Sequence, residues 1–563
     1  MLGVRVSAFN ENGLGEPEQD ANSALTELDK GLRSGRVGEQ CEAIVRFPRL
    51  FEKYPFPILI NSSLLKLADV FRVGNNFLRV WVLRVCQQSE KHLDKILNVD
   101  EFVRRIFSVI HSNDPVARAL TLLTLGSVAG VIPERQQVHH GIRRSLDSRD
   151  SVEVEAAIQA ALEFAAQSKT FAVSMCNKIS DMIQGMSTPA DMKLRLIPVL
   201  QHMHHDTATA AMVRQLCLQL LPSYPAEEFV LVTLNALNQL ATATLVDVPA
   251  QVTLLLKRLG SDPRGAVGAA ALRGLLQLSG GGDGSGNSTE ESKEASLAHL
   301  WPESAVGELA ALSVSLCSAS TSSRSSSGHL LSRALTLICR LASSAAAVQS
   351  HLYPESPLLD LCMKCCYSSD IVIASKAVRV MTKIVCKSHQ DEWIRNQTIT
   401  VDRVADTAES LFLYIACQEG CKNVERNKTY LKHSLYCLVS LARAYRKLCP
   451  RFVDLIGGQL EICEGSNAVL FCEALGAIGG FQAGALLPLL PLLLFKLRTL
   501  NHSLLNMPPA MKRQHSNAVT MLCTLVFQTM VGYEWTDQVS QVVETVLEKA
   551  PLWATYRIAR SAA

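Results

Sequence analysis

The sequence predicts an all-α fold built as a solenoid, in which helix pairs stack along the chain. Turn signals recur 36 to 39 residues apart, and apolar residues follow each of them at helical spacing. The signals lie at Asn75, Asp114, Asp150, Ser187, Tyr224 and Asp262. The composition agrees, with 48% hydrophobic but only 6% aromatic residues. Helix pairs with such a period are typical of α-solenoids, in which each repeat buries its apolar side against its neighbours.

The clearest repeat covers residues 102–132. Apolar residues mark one face of its first helix: Phe102, Val103, Ile106, Phe107 and Ile110. Asp114 can cap the second helix and Pro115 can open it, because a proline at the first helical position loses no hydrogen bond. The Asp-Pro-Val-x-Arg turn at 114–118 is typical of HEAT-like repeats. The sequence therefore predicts HEAT/armadillo-like helical repeats, with a period slightly below the usual ~40–47 residues.

Composition shifts predict five segments. They are a disordered N-terminus (1–22), N-terminal helical repeats (23–278), a flexible Gly/Ser-rich loop (279–298), a second helical-repeat segment (299–563) and, within that segment, a Ser-rich loop (318–327). The last residues begin a helical pattern and show no polar capping repeat, with which a solenoid normally ends. We therefore expect a form that is truncated at its C-terminus.

The charge balance argues against whole-surface binding to nucleic acid. The chain has 55 basic and 52 acidic residues, a net charge of +3. A local basic patch remains as an alternative route to RNA contact, through Arg104, Arg105, Arg118, Arg143 and Arg144. Solvated helix faces explain the same arginines more simply, so the patch is the less favoured hypothesis.

Cysteines and apolar runs indicate neither a secreted nor a membrane protein. The 17 cysteines are scattered over apolar helix faces, and the first residues lack the apolar core of a secretory signal. Free, buried thiols are the expectation. The longest apolar run, Ala485–Phe495, contains Pro488 and Pro491 and is shorter than the ~20 residues of a membrane span. We expect a buried helix there.

The metal-ligand candidates form one weak cluster, His202, His204, His205 and Asp206. Histidine and aspartate are zinc ligands, so a metal-dependent hydrolase is one hypothesis. The cluster lacks a His-Glu-x-x-His signature, and cationic groups at a helix end also favour the helix dipole. The sequence therefore predicts no bound metal, with these four residues as weak candidates only.

Other motifs predict packing rather than chemistry. Cys362, Cys365 and Cys366 share the buried spacing of a helix, and Cys386 adds no second Cys-x-x-Cys pair. The glycine pairs at 457–458 and 479–480 lack the Gly-Lys-Ser/Thr ending of a phosphate loop and are interpreted as helix stops. We predict no catalytic residues, no cofactor and no small-molecule substrate.

Four segments resemble the Integrator complex subunit 7 family. They are ANSALTELDKGLRSGRVGEQCEAIVRFPRLF (21–51), KYPFPILINSSLLKLADVFRVGNNFLRV (53–80), SEKHLDKILNVDEFVRRIFSVIHSNDPVARA (89–119) and NKISDMIQGMSTPADMKLRLIPVLQHMHHD (177–206). The resemblance is close over residues 21–206, weaker over 207–278 and patchy beyond. TYRIAR (555–560) resembles a segment from the middle of family members, which implies that this form lacks their C-terminal portion.

The resemblance implies a non-catalytic scaffold subunit of a nuclear assembly. Integrator acts with RNA polymerase II, processes the 3′ ends of small nuclear RNAs and attenuates transcription, while its endonuclease resides in other subunits. The implied partners are other Integrator subunits and, indirectly, RNA polymerase II. The family also implies a link to the DNA-damage checkpoint, and a location in the nucleus, with chromosome and cytoplasm as further sites. The alternative is a HEAT-type adaptor that binds cargo in nuclear transport.

Overall fold

A computed structural model describes most of the chain. The described ranges are 21–280, 297–320, 326–342, 357–388, 398–417, 424–463, 467–503, 509–529, 535–548 and 550–562. Their regular structure is helical throughout, without a strand, which confirms the all-α prediction. Most of the predicted disordered segment (1–22) and of the predicted Gly/Ser-rich loop (279–298) lies outside the described residues. The predicted Ser-rich loop (318–327) is shorter than expected, because residues 318–320 end one helix and residues 326–327 begin the next, while 321–325 lie outside the described residues.

Internal contacts divide the chain into two compact units, Met1–Asp247 and Val248–Ala563. Unit 1 contains twelve α-helices within its described residues. They are α1 Ala21–Leu32, α2 Val37–Lys53, α3 Pro57–Val73, α4 Asn76–Gln88, α5 Val99–Phe107, α6 Pro115–Ser127, α7 Gln136–Ser145, α8 Ser151–Gln167, α9 Lys169–Gln184, α10 Ala190–Leu196, α11 Thr207–Ser223 and α12 Glu227–Thr244. Short 3₁₀ helices follow α4, α5 and α10, at Glu90–Lys95, Ser108–His111 and Ile197–His202.

Side-chain caps set the starts of three successive even-numbered helices. Asn75 Oδ1 accepts a hydrogen bond from the Leu78 amide at 3.0 Å, and Asp114 Oδ1 accepts one from the Val116 amide at 3.0 Å. Asp150 Oδ1 accepts from the Val152 amide at 2.9 Å. These caps satisfy amides that a helix start leaves without a partner. The predicted turns at all three positions are confirmed.

The even-numbered helices of unit 1 form one layer. Each contacts the next in the order α2, α4, α6, α8, α10 and α12, so neighbours in space are one repeat apart in sequence. Between them and the odd-numbered helices lie fully buried side chains such as Phe47, Phe71 and Phe164. Leu120 on α6 is 7% exposed. The repeat period of about 37 residues therefore corresponds to one step of this stack.

Unit 2 continues with helices of the same kind. Its described α-helices are Val248–Ser261, Gly265–Leu278, Ala305–Ser320, Ser326–Leu341, Pro357–Cys366, Ile371–Ser388, Thr398–Ala416, Val424–Ala444, Cys449–Ile462, Ala468–Phe481, Leu490–Ser503, Pro509–Thr529, Asp537–Leu547 and Leu552–Ala562. Short 3₁₀ helices lie at Leu297–Leu300, Arg446–Leu448 and Ala483–Leu489.

The interpretation of the two glycine pairs as helix stops was wrong. Residues 457–458 lie inside helix Cys449–Ile462, and residues 479–480 lie inside helix Ala468–Phe481. A Cβ at Gly457 would come within 2.6 Å of Leu489 Cδ2, and one at Gly479 would overlap Leu486. Glycine is therefore needed at these two positions because the segment Ala483–Leu489 packs against them closely.

One described helical stretch, Gly484–His502, is long and apolar enough to cross a membrane by length and composition alone. The structure buries its Leu486, Leu493 and Leu497 completely within unit 2. The core helices of soluble proteins can have the same length and composition. Of the predicted buried helix, one side is buried, whereas Phe495 is 61% exposed, so that prediction is confirmed only in part.

Candidate partner-binding groove

A groove of about 570 Å³ runs across α6, α8 and α10 in unit 1. Most of its lining comes from equivalent positions on the three helices, the second, fifth, sixth and ninth residues. On α6 and α8 these are Val116, Ala119, Leu120, Leu123, Val152, Glu155, Ala156 and Gln159; α10 adds Leu194 and Arg195, and Pro198 follows in the 3₁₀ helix Ile197–His202. We call these four positions on α4 to α12 the inner face. Because α4 packs on α6 and α12 packs on α10, we assign the same positions of α4 and α12 to this face.

The inner face is apolar where the groove begins. Phe77 on α4, Val116 on α6 and Val152 on α8 all occupy the second helical position, and they are 56%, 40% and 50% exposed. The Phe77 ring meets the Trp81 ring edge-on, with centroids 6.3 Å apart. Large apolar side chains that are left exposed on neighbouring helices are typical of surfaces that bind another chain.

One ion pair crosses the groove. Arg195 Nη1 on α10 lies 2.8 Å from Glu155 Oε2 on α8. Both side chains are about half exposed, so the pair contributes little to stability. Since the two charges neutralise each other, the centre of the groove presents no net charge to a bound chain.

Polar side chains beside the groove hold successive repeats in register. Asn76 Nδ2 donates to Asp114 Oδ2 at 2.6 Å, which joins α4 to the start of α6. Arg118 on α6 donates from Nε and Nη2 to Glu153 Oε2 on α8 at 2.9 and 2.7 Å. Burial raises the pKa of the Glu153 carboxyl, but hydrogen bonds from Arg118, Ser148 and Ser145 outweigh it and leave that pKa below its ordinary value.

The arginines of the predicted RNA patch are mostly bound to carboxylates. Arg104 Nη2 lies 2.8 Å from Glu101 Oε1, and Arg105 contacts both Glu101 and Asp69, at 2.7 and 2.5 Å. Hydrogen bonds from the two arginines lower the pKa of Glu101 to about 2. These pairs, with that of Arg118, give three of the five arginines a structural role, because their positive charge is already balanced.

The other two arginines of the patch, Arg143 and Arg144, lie in the last turn of α7. Arg143 Nη1 is 3.5 Å from the Ser174 carbonyl oxygen. The five predicted arginines are thus distributed over three helices, α5, α6 and α7.

The histidine cluster does not assemble as a metal site. Asp206 caps α11, where its Oδ2 accepts from the Thr209 amide and hydroxyl, both at 3.0 Å. These bonds lower the pKa of Asp206. His204 Nδ1 is 3.3 Å from the Gln201 carbonyl oxygen, and its ring lies against that of His205 in a tilted arrangement with centroids 4.3 Å apart. No group of three or more His, Cys, Asp or Glu within the described ranges could hold a metal ion.

The cysteine motif lies in the interior of unit 2. Cys362 and Cys365 are buried, and Cys366 and Cys386 are half-buried. Burial raises the pKa of Cys365 and of Cys386 to about 12. A thiol with such a pKa carries almost no thiolate near neutral pH and is a poor nucleophile. These cysteines act as small apolar residues.

The repeat geometry defines the class: a HEAT-type helical-repeat protein with an apolar groove on one layer of its helices. Importin beta, solved in an ammonium sulfate condition, aligns with a TM-score of 0.57 and 11% identity, over 96% of this chain and 72% of that one. A Kap95:Nup1 complex aligns with a TM-score of 0.56 and 10% identity, over 94% and 69%. At these identities the likeness shows the fold alone.

Sequence comparison gives the family. The family described as "Integrator complex subunit 7, N-terminal" matches residues 25–563. Integrator complex subunit 7 of Homo sapiens is 45% identical over 99% of this chain and 55% of its own length, and that of Drosophila melanogaster is 42% identical over 100% and 56%. The chain belongs to the Integrator complex subunit 7 family. It spans about half the length of the curated relatives it matches, and the likeness covers the whole chain rather than residues 21–206 alone.

The groove was not predicted from the sequence. A signal for it exists, because Phe77, Val116 and Val152 each follow a helix start by one residue. Apolar residues at that position do not serve the capping of a helix. Their recurrence at the repeat period could have indicated an exposed apolar row.

Proposed function

We propose that this protein is a non-catalytic scaffold subunit of the nuclear Integrator complex, and that its inner face binds another Integrator subunit. The exposed apolar row of Phe77, Val116 and Val152 is the observation that carries this proposal, because a stable complex would cover it. Membership of the subunit 7 family supports the choice of partner. The chain would thereby take part in 3′-end processing of small nuclear RNAs and in transcription attenuation, contacting RNA polymerase II only indirectly.

A scaffold role fits the use of charge in unit 1. Arg105, Arg118 and Asp206 hold helices together or cap them, so these groups serve the fold rather than a reaction. The location we propose is the nucleus, with chromosome and cytoplasm as further sites, and the checkpoint link belongs to the same proposal.

We keep two further parts of the sequence prediction as proposals. The segment 279–298 would connect two helical-repeat segments, 23–278 and 299–563. The alternative function, a cargo adaptor in nuclear transport, has only the shared fold with importin beta in its favour, and a fold by itself does not define a partner.

The test compares two exposed valines on the two layers of unit 1. In cells in which this chain is the sole source of subunit 7, Val152→Glu places a charge on the inner face. Val173→Glu places the same charge on α9, at a valine that is 41% exposed. We expect Val152→Glu to lose at least one Integrator subunit in affinity purification with mass spectrometry, and Val173→Glu to recover all of them.

Equal recovery with both variants would contradict the proposal. Thermal melting of the purified variants should match that of the parent, since both valines are exposed and a glutamate in the first turn of α8 favours the helix dipole. If only Val152→Glu changes the melting temperature, the milder Val152→Ser replaces it in the test. We expect Val152→Ser to lose the same Integrator subunit while Val173→Glu recovers it.

A further inference from the structure

Along the stack, the residue at the second helical position of the inner face changes from apolar to acidic. On the even-numbered helices from α4 onward, the second residue is Phe77 on α4, Val116 on α6, Val152 on α8, Asp191 on α10 and Glu228 on α12. We infer that the occupant of this face is a protein segment in which apolar side chains are followed by lysines or arginines. The apolar part would lie on α4 to α8 and the basic part on α10 and α12. This inference rests on the proposed function and specifies its partner.

The five residues belong to successive helices of one layer, and we place them along one edge of it. They occupy the same helical position, and α4, α6, α8, α10 and α12 contact each other in that order. The first three are apolar and 40% or more exposed, and Asp191 and Glu228 are exposed as well. The middle of the face is apolar again at its end, beyond the Glu155–Arg195 ion pair of α8 and α10, with Leu231 and Val232 half-buried on α12.

At the acidic end of the edge, the nearby cation of α10 has another partner: Lys193 is buried, and its Nζ donates to the Tyr224 hydroxyl at 2.8 Å. Asp191, Glu227 and Glu228 are exposed, and none of them takes part in an ion pair within the described ranges. The arginine at this end of the face, Arg195, is bound to Glu155, whereas Arg84 lies on α4 at the other end. Because complementary charges across an interface favour one partner over others, this end selects a cationic segment.

Carboxylates in a first helical turn also stabilise their own helix, because the free amides there carry partial positive charge. This role predicts an effect on the stability of α10 and α12 and none on partner choice. The two roles are separable, since Asp191→Asn and Glu228→Gln remove the charge while keeping the size of the side chains. An occupant-binding role predicts weaker complex formation at an unchanged melting temperature.

The spacing of helices fixes the length of the segment. Packed helices lie ~8–10 Å apart, so the five positions span about 32–40 Å. An extended chain covers that distance with roughly 10–12 residues, and a helix with roughly 21–27. Val152 and Glu228 are two helices apart, so the basic residues should follow the apolar ones within about 13 positions.

Photo-cross-linking in the assembled complex locates the occupant. Benzoylphenylalanine would replace Val152 on α8 in one variant and Asn235, an exposed inner-face residue of α12, in another. We expect both to cross-link to one segment of one Integrator subunit, with two or more lysines or arginines near the Asn235 cross-link. A cross-linked segment without basic residues there would overturn the inference and leave the proposed function standing, whereas cross-links to no Integrator subunit would overturn both.

Charge reversal tests the same point independently. The double variant Asp191→Lys with Glu228→Lys should lower recovery of the cross-linked subunit by roughly tenfold, and reversal of the basic residues of the partner should restore it. Glu90→Lys with Asp181→Lys is the matched control, because both carboxylates are exposed away from the even-numbered layer. If Val152→Glu loses the partner subunit but Asp191→Lys with Glu228→Lys recovers it fully, the charge inference is refuted and the proposed function still stands. If Asp191→Asn and Glu228→Gln lower the recovery of the partner only when they also lower the melting temperature, the two carboxylates stabilise their own helices and nothing more. That result would refute the charge inference as well.

Discussion

Removal of the Glu153 carboxylate should loosen the contact between α6 and α8, on which the groove is built. Arg118 donates two hydrogen bonds to Glu153 Oε2, and Ser148 Oγ donates a third at 2.7 Å. The side chain of Glu153 is 7% exposed and that of Arg118 is 23% exposed. Arg118 Nη1 also donates to the Ser112 carbonyl oxygen at 2.8 Å, which ties the α6 turn to the same guanidinium.

The expected cost follows from the exposure of the arginine. Removing one partner of a fully buried ion pair costs about 3–5 kcal/mol, because the remaining charge is left unpaired. Arg118 keeps some contact with water and its bond to Ser112, so we expect about 2–3 kcal/mol for Glu153→Ala. Glu155→Ala is the control, because its partner Arg195 is 54% exposed and such pairs contribute about 1 kcal/mol or less.

Amide hydrogen exchange measures this cost locally, without assuming that the two units unfold together. Glu153→Ala should speed exchange of the buried amides of α6 and α8 by roughly 30- to 150-fold, since about 1.4 kcal/mol corresponds to a factor of ten. Glu155→Ala should change it by less than about fivefold. Similar, small changes in both variants would refute the claim that the Arg118–Glu153 pair holds these two helices together.

Three further predictions concern acid, glycine and metal. The pKa of Glu153 is lower in the folded protein than its ordinary value of 4.5. The ionised carboxylate therefore stabilises the fold fully above pH 4.5, and this stabilisation is lost as the pH falls below that value. Glu153→Gln should therefore lose less stability than the parent between about pH 5 and pH 3, as measured by urea denaturation. Gly479→Ala should cost about 1–3 kcal/mol because a Cβ there overlaps Leu486, whereas Gly480→Ala, with no atom closer than 3.9 Å, should be neutral or stabilising by up to about 1 kcal/mol in the same assay. Addition of Zn²⁺ should change neither the melting temperature of the parent nor that of His202→Ala. A rise confined to the parent would contradict the conclusion that the histidine cluster is not a metal site.

The repeat architecture could be predicted because local signals agree with the global fold. Asp114 and Asp150 cap helices, Pro115 opens one, and these signals recur at the interval at which the helices stack. Capping depends on residues within one turn, so it is visible in the sequence alone. Leu120 could be placed in the core because apolar spacing identifies the buried side of a helix.

The features that sequence reasoning missed depend on contacts between distant residues. The glycines at 457 and 479 were misread because their role depends on Leu489 and Leu486, which approach from another helical segment. Arg118 could not be assigned to Glu153 without knowing which sides of α6 and α8 face each other. The inner face was missed for the same reason, since exposure at Val116 and Val152 is a property of the stack and not of either helix.

The most direct test of the central claim is an electron cryomicroscopy map of the Integrator complex assembled with this chain. The account predicts density for a segment of another subunit along α4 to α12, in contact with Phe77, Val116 and Val152. A complete complex in which this face is open to solvent would contradict the claim that the inner face is the partner-binding surface of the protein.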